Sequence, residues 1–352
     1  FDDSEVTFSN GLKPSEAGNY YATIFNEAIY DVVSRVKGHA NAMTIFNAAS
    51  IGSQLYPYTN IIPETDDYNA ISSSLRRALS IGMSGITTTN IDTPLLAPGK
   101  NDALFIRWAQ FALLSPHGRI TVSAKTPLSA YKNAVETIKL YSNMRRNMIS
   151  QFYAVNFDAS NLGVPAVRSL ALEFNRDYAT RLIDQQYMLG SSLMVVPVTN
   201  PSNVVTYYVP SGIWTNLLTR EKIQGPCFKS SKLDINNVPV LVRPNSIIVT
   251  SSSEVTGNND LLNNVTFTVF ELSDKDIAAT EVFSADGSRS GVINILREGN
   301  RITVRTDGFG TNKRIILSGI KNVVSASESI PSTSDFGTTI DFTAKELILT
   351  LG

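Results

Sequence analysis

Through the first two hundred residues, apolar positions switch repeatedly between helical spacing and short strand-like runs; after that they settle into brief β-branched runs broken by turn residues. NYYATIFNEAIYDVVSRV reads as an amphipathic helix, AMTIFNAAS as a short strand, and DYNAISSSLRRALSIGMSG as a helix leading into a strand. NDALFIRWAQFALLS predicts another helix and KNAVETIKLYSNMRRNMISQFYAV one long helix, followed by the strand-like VRSLALEF. That is the rhythm of a parallel β/α domain. From VVTYYVP through PVLVRPNSIIVT, NNVTFTVFEL, RITVRT and KRIILSGI to TIDFTAKELILTL, Gly, Asn, Asp and Ser separate the runs, which predicts an all-β region of two small sandwiches. The Ser/Asn-rich SSSEVTGNND marks the division between them, so the expected units are 1–200, 201–265 and 266–352.

Composition narrows the function classes. A chain of 352 residues with 43% hydrophobic content can bury a large core and form two or three domains. Thirty basic against 31 acidic residues, with no basic cluster interleaved with aromatics, argue against a nucleic-acid partner. One cysteine, Cys227, excludes an internal disulfide and a cysteine-built zinc site. His39 and His117 stand far apart, so no metal and no cofactor is expected. No apolar run approaches the roughly 18 to 20 residues of a membrane helix. The opening FDDSEVTFSN is neither a signal peptide nor a Met start, so a mature, processed or fragmentary soluble chain of unspecified compartment is expected. Asn264-Val265-Thr266 forms a glycosylation sequon of the kind chance supplies.

Several blocks occur in order: NYYATIFNE, SIGSQLYP, SLRRALSIGMSG, FIRWAQFALLSPHGR, DQQYMLGSSLMVVPV, GIW with LLTREKIQG, and VPVLVRPNSII. Through them the run from Asn19 to about residue 265 resembles glycoside hydrolase family 31, nearest its α-xylosidase and α-glucosidase branch. The resemblance implies the second half of a (β/α)8 barrel followed by two C-terminal β-sandwiches, an α/β plus all-β fold. It also implies that residue 1 falls inside the barrel. An open half-barrel exposes strand edges and an apolar face, so a companion polypeptide carrying the first half is expected, in a hetero-oligomer.

Retaining α-glycosidases need two carboxyl groups roughly 5 to 5.5 Å apart, a nucleophile and an acid/base. The resemblance puts Asp2, in Asp2-Asp3-Ser4-Glu5, at the nucleophile position. It puts Pro63 at the acid/base position, with Glu64, Asp66 and Asp67 close behind. Asn47 stands for a family arginine, Ile91-Asp92-Thr93-Pro94-Leu95-Leu96 for a His-Asp-Ile-Gly-Gly-Phe run, and Thr121 for a sugar-contacting histidine. Barrel sites gather at the C-terminal ends of strands, and those ends carry the changes.

The expectation is therefore a lectin-like pseudoenzyme without turnover. Its glycan would be bound by Asp2, Asn47, Tyr58, Asn60, Asp66, Asp92 and Thr121, or on the β-sandwiches. One alternative is an active retaining α-glycosidase with Asp2 as nucleophile and Asp66 or Asp67 displaced into the acid/base role. The other is a structural or storage subunit.

Overall fold

A computed structural model describes residues 8–99, 102–251, 261–284 and 286–352. Asp2, Asp3 and Glu5 lie outside the described residues.

Four short parallel strands form the first sheet: β1 Ile45–Phe46, β2 Tyr58–Ile61, β3 Thr89–Asp92 and β4 His117–Arg119, in that spatial order. Helix α1 (Pro14–Lys37) precedes them, and α2 (Tyr68–Met83) and α3 (Asp102–Leu113) make the crossovers. The start of α2 follows from Asp67, whose extended backbone and carboxylate, accepting from the Ala70 amide at 2.9 Å, make an N-cap. Ala70, Ile71, Ser74, Leu75, Ala78, Leu79 and Gly82 recur at helical spacing and are buried against the sheet. Gly82 is a close approach: a Cβ there would sit 3.1 Å from that of Pro165. In α3 nearly every side chain is buried, as FIRWAQFA suggests, because neighbouring layers cover it on both sides.

The predicted long helix is two, α4 (Val135–Asn147) and α5 (Ile149–Leu162), broken at Met148. The cause lies in their partners. Helix α4 packs on α3, whereas α5 turns to the distal β unit, where Phe157 stacks on Phe283 at 3.8 Å between centroids. One straight helix cannot present a face to both. VRSLALEF also departs from expectation. It gives a two-residue strand, β5 (Val167–Arg168), then a helical turn, α6 (Leu170–Glu173), because the Ser169 hydroxyl caps the Leu172 amide.

Strands β5, β6 (Tyr187–Leu189), β7 (Leu193–Val195), β8 (Val204–Asn216), β9 (Lys222–Lys232) and β10 (Val240–Val242) form one sheet, in the order β5-β6-β7-β10-β8-β9. Its core is continuous with the barrel's: Phe105, Trp108, Phe111, Tyr187 and Trp214 belong to one buried cluster. Trp214 meets Phe174 edge-on at 6.1 Å, which packs the segment after α6 against this sheet.

The distal unit is a sandwich of two five-stranded sheets. One contains β11 (Ser246–Ser251), β12 (Val265–Phe270), β16 (Lys313–Ser318), β18 (Ser332–Thr333) and β19 (Gly337–Phe342). The other contains β13 (Ile277–Phe283), β14 (Arg289–Glu298), β15 (Arg301–Asp307), β17 (Val323–Ala326) and β20 (Glu346–Leu351). Alternating residues such as Phe267, Val269, Ile293, Ile295, Ile315 and Leu347 fill the space between them. Sheet membership therefore changes near residues 165 and 245, earlier than the turn-rich stretches suggest, because β5 to β7 and β11 pair forward.

The barrel half is open. β1 and β4 are edges of its sheet. Helix α1 exposes Tyr20, Tyr21, Ile24, Phe25, Ile29, Val32 and Val36, a stripe at helical spacing, with Val36 at 75%. No helix of the described residues is long and apolar enough to cross a membrane.

Candidate active site

The C-terminal ends of β2, β3 and β4 bring four polar side chains together. Register sets Asn60 beside Asn90, and Asp92 beside Arg119. Alternate residues on a strand share a face, so Asn90 and Asp92 point the same way.

Asp92 is buried and receives three N–H groups. Its Oδ2 accepts from Asn60 Nδ2 at 2.8 Å and Arg119 Nη2 at 2.6 Å, and its Oδ1 accepts from Asn90 Nδ2 at 2.8 Å. Asn90 Nδ2 also reaches Asn60 Oδ1 at 2.7 Å, and Asn60 Nδ2 reaches Asn47 Oδ1 at 3.2 Å. A buried carboxylate held this way is fixed in place, because removing any donor leaves a costly unsatisfied group. The cluster presents amide, guanidinium and carboxylate planes that can take paired sugar hydroxyls.

Other expected site residues are placed as follows. Tyr58 stands on the same face as Asn60 but one layer nearer the strand starts. There its ring meets His117 edge-on at 4.2 Å, and burial raises its phenol pKa. Thr121 follows β4, and its amide donates to the Thr93 hydroxyl at 2.8 Å. Pro63 sits just past β2 and offers no ionisable group. Of the three acids behind it, Glu64 pairs with Arg77, and Asp67 is occupied by the α2 cap and the Thr65 hydroxyl at 3.0 Å. Asp66 is exposed and has no ion pair or hydrogen bond among the described residues.

Asn90 and Arg119 also belong to the cluster, although neither is among the residues expected to bind sugar. A signal existed for the first: Asn-Ile-Asp in a strand places both polar residues on one face. For Arg119, only the pairing of β3 with β4 reveals the contact.

His117, beside Asn90 on the adjacent strand, is neutral at ordinary pH. Burial lowers its pKa to about 4, opposed by its hydrogen bond to Asn156 and aided by nearby Arg145. Its Nε2 lies 3.0 Å from Asn156 Oδ1, and Asn156 Nδ2 is committed to the Phe152 carbonyl at 2.8 Å, so His117 Nε2 carries the proton and donates. Arg145 in turn donates to the carbonyls of Leu113, Ser115 and Pro116, which fixes the turn that feeds β4.

Comparison with known proteins gives matches along nearly the whole chain. Residues 2–155 match the glycosyl hydrolases family 31 TIM-barrel domain, 163–248 the glycosyl hydrolase family 31 C-terminal domain, and 260–351 the C-terminal domain of alpha-xylosidase YicI. Alpha-xylosidase XylQ of Lactiplantibacillus pentosus is 30% identical over 313 residues, 87% of this chain and 41% of the relative. The alpha-xylosidase of Emericella nidulans is 28% identical over 252 residues, 69% of this chain and 32% of the relative. The structure of the cycloalternan-forming enzyme from Listeria monocytogenes in complex with pentasaccharide substrate superposes with a TM-score of 0.84. The two are 19% identical, and the match covers 98% of this chain and 37% of that one. The chain thus spans about two fifths or less of the length of these curated relatives.

These relatives are named as enzymes, which overturns the expectation of a lectin-like protein without turnover. The reason is visible in the site. Individual motif residues are replaced, yet the strand ends keep a buried carboxylate that accepts three N–H groups.

Proposed function

The chain belongs to glycoside hydrolase family 31, and from that premise we propose that it forms the second half of the catalytic barrel, with the trailing β units, of a retaining α-glycosidase of α-xylosidase or α-glucosidase type. The observation that carries this reading is the Asn60–Asn90–Asp92–Arg119 cluster, a rigid polar site at the C-terminal ends of barrel strands. Fixed dipoles and charges there favour an oxocarbenium-like transition state, since they need no rearrangement as charge develops.

In this proposal Asp2 attacks the anomeric carbon while the displaced acid, Asp66, protonates the departing oxygen; water then cleaves the glycosyl-enzyme with Asp66 as base. Asp66 is chosen because Glu64 and Asp67 already have structural partners. Asn47, Asn60, Asp92 and Thr121 hold sugar hydroxyls.

The remaining barrel strands are proposed to come from a companion polypeptide seated against the α1 stripe and the open edge of β1. Support comes from the exposed apolar face of α1 together with exposed Met43 and Ile45. Unit limits near 165 and 245 follow in the same proposal from sheet membership.

The test is hydrolysis of aryl α-xylosides and α-glucosides by the natively purified protein, beside the Asp2→Asn variant. Turnover that the substitution reduces by several orders of magnitude is expected; turnover indifferent to it sinks the assignment.

A further inference from the structure

The distal sandwich holds a cavity of about 610 Å³, lined by none of the barrel cluster's residues. It opens where the starts of β12 and β16 meet the end of β19, with the segment carrying Glu328 and Ser329 along one side. Its volume is that of an ordinary small-molecule site.

The lining is built. Arg314 and Asp341 face each other in a two-pronged pair, Nε to Oδ1 at 2.6 Å and Nη2 to Oδ2 at 3.0 Å. Asn312 Nδ2 donates to Asn264 Oδ1 at 3.0 Å. Glu328 accepts from the Thr343 amide and hydroxyl and the Ala344 amide, at 2.7, 2.9 and 2.8 Å. Lys313 is buried, its ammonium donating to the carbonyls of Gly310 and Thr343 and lying 5.1 Å from the Phe342 ring centroid.

Two features fix the ligand class. Charges cancel, since Lys313 and Arg314 face Glu328 and Asp341, so the cleft has no net attraction for a phosphate, a sulfate or a metal ion. What these bonds leave unused is the amide of Asn264, the carbonyl of Asn312 and Nη1 of Arg314, donors and acceptors side by side on planar groups. Such an arrangement suits neighbouring hydroxyls of an uncharged sugar.

We propose that this cleft is an accessory site for a neutral oligosaccharide, serving the glycosidase function proposed above and resting on that reading. It would hold a longer substrate to the protein while the barrel cleaves a terminal sugar.

The experiment uses the whole protein with maltoheptaose and, separately, a xyloglucan heptasaccharide as probes, read by calorimetry and hydrogen exchange. One probe is expected to protect residues 311–314 and 341–343. Its affinity should fall about tenfold or more in Arg314→Ala and in Asn312→Ala, a change equivalent to one lost hydrogen bond to ligand. Both side chains are on the surface, and the second variant stands in if the first fails to fold. Aryl α-glycosides, too short to span both sites, should be turned over unchanged by either variant. Unaltered affinity in both variants, protection confined to residues 58–61 and 89–92, or competition by inorganic phosphate overturns the proposal. Cleft protection without aryl glycoside turnover supports the cleft and sinks the glycosidase reading; turnover without cleft protection does the reverse.

Discussion

Arg119 and Asp92 meet at 2.6 Å across two adjacent parallel strands, the carboxylate buried and the arginine side chain 67% exposed. The pair thus joins a fixed charge inside the sheet to a movable one on the open side. Asp92 is also held by Asn60 from the neighbouring β2 and by Asn90 from its own strand, so its position does not depend on Arg119 alone.

Asp92→Ala removes one acceptor from each of Asn60, Asn90 and Arg119, leaving the two amides only Asn47 Oδ1 and Asn60 Oδ1 respectively. Loss of roughly 1 to 3 kcal/mol is expected from the two buried amides, with little from the solvated arginine. Urea unfolding measures it. A midpoint unchanged within error would mean that the cluster relaxes freely and is not preorganised.

Asp66 and Asp67, both behind Pro63, should separate cleanly. Asp67→Ala removes the α2 cap and should cost about 1 kcal/mol while retaining turnover. Asp66→Asn should leave stability within about 0.5 kcal/mol and lower turnover of aryl α-glycosides roughly 10²- to 10⁴-fold. The reverse pattern would move the acid/base role to Asp67.

His117 makes stability pH-dependent. Its folded pKa, about 4, lies below its ordinary 6.5, so the unfolded chain binds the proton more readily. Stability from this group is complete above pH 6.5 and is lost as pH falls from there towards 4, in total roughly 3 kcal/mol at 1.36 kcal/mol per pKa unit. His117→Gln should flatten that part of the profile, read from denaturant unfolding at a series of pH values. An unaltered slope in the variant would assign the dependence to other groups.

Phe157 on α5 stacks on Phe283 of the distal sandwich, an anchor between helical and β parts. Phe157→Ala should destabilise by roughly 1 to 3 kcal/mol and split calorimetric melting into two transitions, as the shared contact is lost. A single transition at the original temperature would show that other contacts couple the units.

Phe25→Asp and Val32→Asp lie on the exposed stripe of α1, where no buried contact is lost. Each should leave the stability of the isolated chain within about 0.5 kcal/mol yet abolish co-purification of the proposed companion. Sedimentation of the native protein reads this directly: a monodisperse 38.4 kDa species from the unaltered chain would sink the companion proposal.

By itself, the sequence determined the order of elements, the family and the faces of the helices, because these depend on periodicity and on blocks of neighbouring residues. FIRWAQFA and SLRRALSIG declare α3 and α2 without any partner. What only the tertiary structure decided depends on which strands lie side by side. Arg119 joins Asp92 through the β3–β4 register and Asn60 reaches it across the β2–β3 pairing, while Tyr58 spends its ring on His117. The break at Met148 is likewise set by two separate packing partners. Of the acids behind Pro63, position in the sequence offers Asp66 or Asp67 for the acid role; the α2 cap occupies Asp67, as the pair with Arg77 occupies Glu64, and leaves Asp66 with its carboxylate uncommitted.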